Sequence, residues 1–137
     1  MSAEIALQKS IRVRLVETLA VTMLVPAGSI LDRNQRPAPD PSIIIGEGQS
    51  IDEGDSVTRK LLRVFMDIHI WKREPGLGGV KLISATVRFA ITGRRLDLGD
   101  DYSCADIRIS NTKYLRDPDG ETSHAVVTVS ALVEEVA

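Results

Sequence analysis

The sequence predicts an α+β fold: a mostly antiparallel sheet of about four strands with two helices packed on one face. Three observations carry this. Two segments repeat apolar residues at helical spacing, one near the start and one in the middle of the chain. A stretch of about a dozen residues between them alternates with a period of two. The last third holds two more strand-like segments joined by Asp117-Pro118-Asp119-Gly120, a strong turn signal that pairs them as an antiparallel hairpin.

The first helix is expected over residues 3–20. Leu7, Ile11, Leu15 and Leu19 form its apolar stripe, with Val16 and Ala20 alongside and Glu4, Lys9, Arg12 and Arg14 opposite. Ser2 is its N-cap, and Pro26 and Gly28 end any continuation. After the Ile30-Leu31 pair, Pro37, Pro39 and Pro41 forbid helix and sheet interior, which leaves an extended surface loop. Ile43, Ile44 and Ile45, bounded by Pro41 and Gly46, read as a short buried strand. Residues 47–56 then read as an acidic mobile loop, with Glu47, Asp52, Glu53 and Asp55 and no basic partner. The carboxylate spacing of a calcium hand is missing, so a solvated loop is the better reading than a metal site.

From Arg59 the chain becomes the long strand. Val64, Met66, Ile68 and Ile70 share a wholly apolar face that belongs under the helices. Phe65, Asp67, His69, Trp71 and Arg73 share the other, aromatic and charged, face. Pro75-Gly76 turns the chain. Val80, Ile83, Val87 and Ala90, joined by Phe89 and Ile91, then mark the second helix, with Lys81, Ser84 and Arg88 opposite. Gly76, Gly78 and Gly79 blur its start; Gly93 ends it, and Arg94 and Arg95 are placed to favour its C-terminal dipole. Residues 96–103 form a second acidic loop carrying Asp97, Asp100 and Asp101. The two closing strands cover residues 105–116, with Ile107 and Ile109, and residues 122–135, alternating around Val127, Val129 and Val133.

At 137 residues the chain is expected to be a single domain, 1–137, able to build one core without staples. A composition that is 43% hydrophobic and 26% charged is globular rather than disordered. Net charge is −2, so no global basic field draws in nucleic acid or acidic lipid. Cys104 is the lone cysteine, expected to be buried and inert. Gln8, Lys9, Arg12 and Arg14 interrupt the N-terminal segment, so it does not read as a signal peptide, and no apolar run approaches the roughly 20 residues that span a bilayer. The expectation is a soluble protein made inside a cell.

Catalytic chemistry is hard to find. Two histidines, His69 and His124, and one cysteine do not make a zinc site, and no C-x-x-C or H-x-x-x-H occurs. Asp67 and His69 share a strand face, the arrangement of a carboxylate orienting an imidazole, but no G-x-S-x-G supplies a nucleophile. Gly76, Gly78 and Gly79 lack the endings of a phosphate loop, and one Trp, two Tyr and two Phe are too few for a stacking platform on single strands. The expectation is no enzyme, no cofactor and no metal. The positive signal is the mixed strand face. Phe65, Asp67, His69, Trp71 and Arg73, bordered by Arg63 and Lys72, suit a contact with another subunit or partner, since Trp and Arg are enriched in interface centres. The competing reading has Trp71 capping the edge of the domain's own core.

The layout resembles the phage tail-completion proteins, or tail terminators, including relatives in gene transfer agents. Four stretches carry the likeness: ALQKSIRVRLVETLA, PSIIIGEG, VFMDIHIWKREPG running into VKLISATVRFAI, and the closing HAVVTVSALVEEV. Lys72 stands where a small polar residue is common in that family, and the second helix opens on glycines rather than charges. The resemblance implies a structural virion protein, assembled in the bacterial host cytoplasm and located in the tail or neck. It would form a six-fold ring at the head-proximal end of the tail, contact the major tail tube protein and the head–tail connector or stopper proteins, and let DNA pass without sequence-specific binding. One of the two acidic stretches, with Glu47, Asp52, Glu53 and Asp55 or with Asp97, Asp100 and Asp101, is expected to face the channel. The alternatives are a connector or stopper of the neck and, in a different class, a small ligand-binding domain using His69, Asp67 or Cys104.

Overall fold

A computed structural model describes residues 2–52 and 60–136. Helix α1 covers Ala3–Glu17, and its first turn is closed by the Ser2 hydroxyl accepting from the Ile5 amide at 3.1 Å. Leu7, Ile11 and Leu15 are fully buried along it. The predicted continuation to Ala20 fails at Thr18, whose backbone is extended, and a separate short helix α2 spans Leu19–Thr22. The break swings Leu19 off the stripe, leaving it 71% exposed. A 3-10 turn, Ala27–Ser29, leads into strand β1, Ile30–Leu31.

Strands β2 (Ser42–Asp52), β3 (Leu61–Lys72), β4 (Tyr102–Arg116) and β5 (Ser123–Glu135) complete a five-stranded sheet in the order β1-β2-β3-β5-β4. The long strands are antiparallel, but β1 runs parallel to β2 through Ile30–Ile43 and Leu31–Ile44, so the sheet is mixed and has one strand more than predicted. The pair Ile30-Leu31 is too short to show a strand period. Its partner is supplied only once the proline-rich segment has folded back.

Residues 47–52, predicted as the start of a mobile loop, belong to the sheet. They extend β2, pairing Gly48 with Met66, Gln49 with Phe65, Ser50 with Val64, Ile51 with Arg63 and Asp52 with Leu62. The glycines there mark a bulge between Ile45 and Gly48 instead of a loop. A Cβ on Gly48 would run into the Phe65 carbonyl, so glycine lets the two backbones close. Glu53 and Asp55 lie outside the described residues.

The β3 alternation holds as predicted. Val64, Met66, Ile68 and Ile70 are buried and register with Ala131, Val129, Val127 and Ala125 of β5, all buried too. Helix α3, Gly78–Thr92, lays Val80, Ile83, Val87, Ala90 and Ile91 on this same face beside α1, and one hydrophobic core joins them. Ser84, predicted on the polar side of α3, is buried, and its hydroxyl lies 3.0 Å from that of Tyr114 on β4. Of the glycines that open α3, only Gly79 has close neighbours: a Cβ there would stand 2.7 Å from Lys72 Cδ, on a flexible side chain that pairs with Glu74 at 3.3 Å. Leu96 and Leu98 drop back into the core from the acidic connection before β4.

Arg14 is also corrected. Predicted on the solvent side of α1, it is only 8% exposed. Its guanidinium donates to the carbonyls of Ala90, Arg94 and Arg95 at 2.8, 3.0 and 3.0 Å. Arg14 of α1 thus satisfies one carbonyl in the last turn of α3, that of Ala90, and two in the segment just beyond it. Burial favours its neutral form, and the nearby Arg94 charge adds to that pull.

Ile68 sits between Ile45 and Val127 with no exposed surface. Ile68→Ala is expected to lower unfolding free energy by about 2–5 kcal/mol, read from the urea midpoint at unchanged slope.

Candidate interaction face

Helices cover one face of the sheet; the other is formed by the second residue set of each strand. On β3 this set is Phe65, Asp67, His69 and Trp71, all partly exposed, and the predicted partition of the strand is therefore the observed one. Each has a cross-strand neighbour on β5: Ser130, Thr128, Val126 and His124 respectively. The Thr128 hydroxyl donates to Asp67 Oδ1 at 2.7 Å. Arg63, on the same face, donates to the Ser130 hydroxyl at 3.1 Å. Arg73 lies just beyond the strand and is exposed. Its amide donates to Asp40 Oδ1 at 2.8 Å, and its guanidinium pairs with Glu121 at 2.9 Å.

At the upper end of this face a polar chain runs across three strands. His69 Nε2 is 3.0 Å from Glu47 Oε2, and His69 Nδ1 is 2.9 Å from His124 Nε2. The carboxylate can only accept, so His69 donates from Nε2; a neutral ring then accepts at Nδ1, and His124 donates from Nε2. His124 in turn stacks on Trp71 with ring centroids 3.6 Å apart and an 8° interplanar angle. Gly46 makes room for the chain, since a Cβ there would stand 3.1 Å from His69 Cδ2. Burial is the main cause that drops the His124 pKa to about 4, with the His69 charge adding to it. Glu47 is held below its usual range by its own backbone amide and then by His69.

These groups do not compose a catalytic site. Asp67 is engaged with Thr128, while His69 is engaged with Glu47 and His124, so the carboxylate does not orient the imidazole. Cys104 registers with Val133, is buried, and donates to the Asp106 carbonyl at 3.4 Å. Desolvation raises its pKa, which disfavours the reactive thiolate. Among the described residues no group of three or more His, Cys, Asp or Glu side chains is arranged to hold a metal ion. A hollow of about 390 Å³ on this face is lined by Glu47, Gly48, Gln49, Phe65, Asp67 and Thr128, and does not include His69 or Cys104. Among the described residues no helix is long and apolar enough to cross a membrane.

The acidic candidates separate in space. Glu47 belongs to the polar chain and leaves most of its side chain in solvent. Asp52 ends β2, exposed, and lines a small hollow with Ala3, Lys60 and Tyr102. Asp97, Asp100 and Asp101 are exposed on the connection between α3 and β4, where Asp97 Oδ1 accepts from the Gly99 amide at 2.9 Å. Sequence reasoning missed the partnership of His124 with His69 and Trp71. No local signal carries it: 55 residues separate the two histidines, and only the β3–β5 register brings them together.

His124 provides a test. Its folded pKa near 4 lies below the ordinary 6.5, so between those values the unfolded chain binds more protons. The stability His124 contributes is therefore intact above about pH 6.5 and is lost progressively as pH falls towards 4. Urea midpoints across that window should fall, and His124→Phe, which keeps a ring on Trp71, should flatten the fall. An NMR titration of His124 with a midpoint near 6.5 would contradict this geometry.

Two comparisons with known proteins cover nearly the whole chain. The family described as tail completion protein gp17 matches residues 9–134. A chain in the solved structure "Virion of native gene transfer agent (GTA) particle" superposes with a TM-score of 0.84 at 18% identity, covering 97% of this chain and 98% of that one. At that identity the likeness establishes a shared fold. A search of curated proteins gave no match. With the family matched over nearly all of the described fold, the chain belongs to the tail completion protein gp17 family.

Proposed function

We propose that this protein forms a ring at the head-proximal end of a phage-like tail, ends growth of the tail tube there and offers the joining surface to the head. Membership of the tail completion family makes it a structural protein of a virion tail or neck. The observation that carries the finer reading is the sheet face left uncovered by helices. It presents Phe65 and Trp71, half-buried, among Asp67, His69, Arg63 and Arg73, and its Asp67 and His69 are engaged with Thr128, Glu47 and His124. A surface of aromatic and arginine side chains suits association better than chemistry.

The partners in this reading are further copies of the chain, six in the ring, together with the major tail tube protein and the connector or stopper proteins beneath the head. DNA passes through the channel. Exposed carboxylates repel phosphates where basic residues would hold them by counterion release, so one of the acidic stretches, Glu47 with Asp52 or Asp97 with Asp100 and Asp101, lines that channel. A ring with both stretches on its outer wall would rule this out.

A connector or stopper role in the neck is the second reading, because it needs the same size of block and the same kind of surface. Tubes of the major tail protein separate the two: a terminator caps their ends, whereas a stopper binds the portal side. The ligand-binding reading has less behind it: Asp67 lines the 390 Å³ hollow and Cys104 a separate one of about 190 Å³, and Asp67 is already engaged with Thr128.

Removing the protein from its own particle-producing system should yield overlong or headless tails by electron microscopy. Tails of normal length attached to heads would overturn the proposal. Trp71→Ala should weaken assembly more than it lowers the melting temperature of the isolated chain. Equal losses in the monomer and in the assembly would make Trp71 a core residue only.

A further inference from the structure

Among the described residues both borders of the sheet are open. On one side no described strand pairs with β4 beyond it along its 15 residues. On the other, β1 pairs only with Ile43 and Ile44, so residues 46–52 of β2 also form a border among the described residues. An open border is a row of unmet amides and carbonyls, and such a row takes up a further strand.

Charge tells the two borders apart. β4 exposes Arg108, Lys113 and Arg116, with Asp106 as its one carboxylate. The β2 border carries Glu47 and Asp52, with Glu4 of α1 tied to it by the Ser50 hydroxyl at 2.9 Å. Strand polarity agrees. β2, β3, β5 and β4 alternate in direction, so β2 and β4 run oppositely. Setting β4 of one copy beside β2 of the next, with both copies the same way up, gives an antiparallel ladder, and the same junction then repeats around the ring. Two β4 borders meeting across a two-fold axis would instead oppose arginine and lysine to themselves.

The register places the charges at one height. Thr128 pairs with both Asp67 and Asn111, and Asp67 lies opposite the β2 bulge that holds Glu47. At equal height, Glu47 of one copy therefore meets Asn111 of the next, three residues from Arg108; beyond Thr112, β4 lies level with Ile44 and Ile43, where β1 already holds the border, so the ladder ends there. By the same route Gln49 aligns with Arg108, and Ile51 with Asp106.

We infer that copies of this chain join by strand addition, the basic β4 border of one pairing antiparallel with residues 46–52 of β2 in the next. The inference rests on the ring reading above and names the surface that closes the ring. Within one chain the two borders are separated by β3 and β5, about 14 Å at roughly 4.8 Å per strand, so cysteines placed on them cannot bond internally.

The test uses the full chain carrying Gln49→Cys with Arg108→Cys, and separately Ile51→Cys with Asp106→Cys. Each is assembled at high concentration and on the ends of tubes of the matching major tail protein, then mildly oxidised and run on a denaturing gel. Either pair should give a ladder of covalent oligomers that single variants lack. Arg108→Glu should abolish assembly, and adding Glu47→Lys should recover it. Rings seen by microscopy with no ladder from either pair would overturn strand addition and leave the ring standing. No rings under any condition would overturn both.

Discussion

The pairing of β3 with β5 is the constraint on which the rest of this structure depends. Twelve residues of β3 register without interruption against β5, from Leu61–Glu134 to Lys72–Ser123. Because side chains alternate along a strand, this one register fixes both faces together. It stacks Ile68 on Val127 and Met66 on Val129 beneath the helices, and by the same step sets Trp71 on His124 and Asp67 on Thr128 outside. A slip of one residue would bury Asp67 and expose Ile68, so the core enforces the outer face.

The helical layer is tied to that sheet by more than apolar contact. α1 and α3 share the core, but Arg14 of α1 also bonds, from a buried position, the Ala90 carbonyl of α3 and the Arg94 and Arg95 carbonyls just after it. A guanidinium with three carbonyl partners is well compensated for leaving water, and removing it would strand those acceptors. The contact holds the end of α3 where Leu96 and Leu98 re-enter the core, ahead of β4. It therefore also positions the start of the border strand.

The hollows on this two-layer domain are open ones, about 560 Å³ between α1 and the segment after α3 and about 390 Å³ on the outer sheet face, and neither is lined by His69, His124 or Cys104. Its polar side chains are spent on one another: Asp67 with Thr128, Glu47 with His69, His69 with His124. What remains available is surface, namely a half-aromatic face and two sheet borders of opposite charge. That is the inventory of a building block, and it agrees with membership of the tail completion family.

Local pattern was enough for the class of the fold, both long helices, the division of β3 into two faces and the Asp117–Gly120 turn, because each is written in a local period or a local turn residue. It also carried the family resemblance, which lies in the order of those same elements. Tertiary structure decided the rest. β1 becomes a strand only because β2 is there to pair with it, and residues 47–52 remain in the sheet because β3 offers them partners that an acidic, glycine-bearing segment does not announce. Arg14 is buried because the end of a distant helix needs its donors, and His124 meets His69 because a register spans 55 residues. Periodicity records how a residue relates to its own turn or strand; partners far along the chain are chosen only when backbone groups and charges are satisfied together.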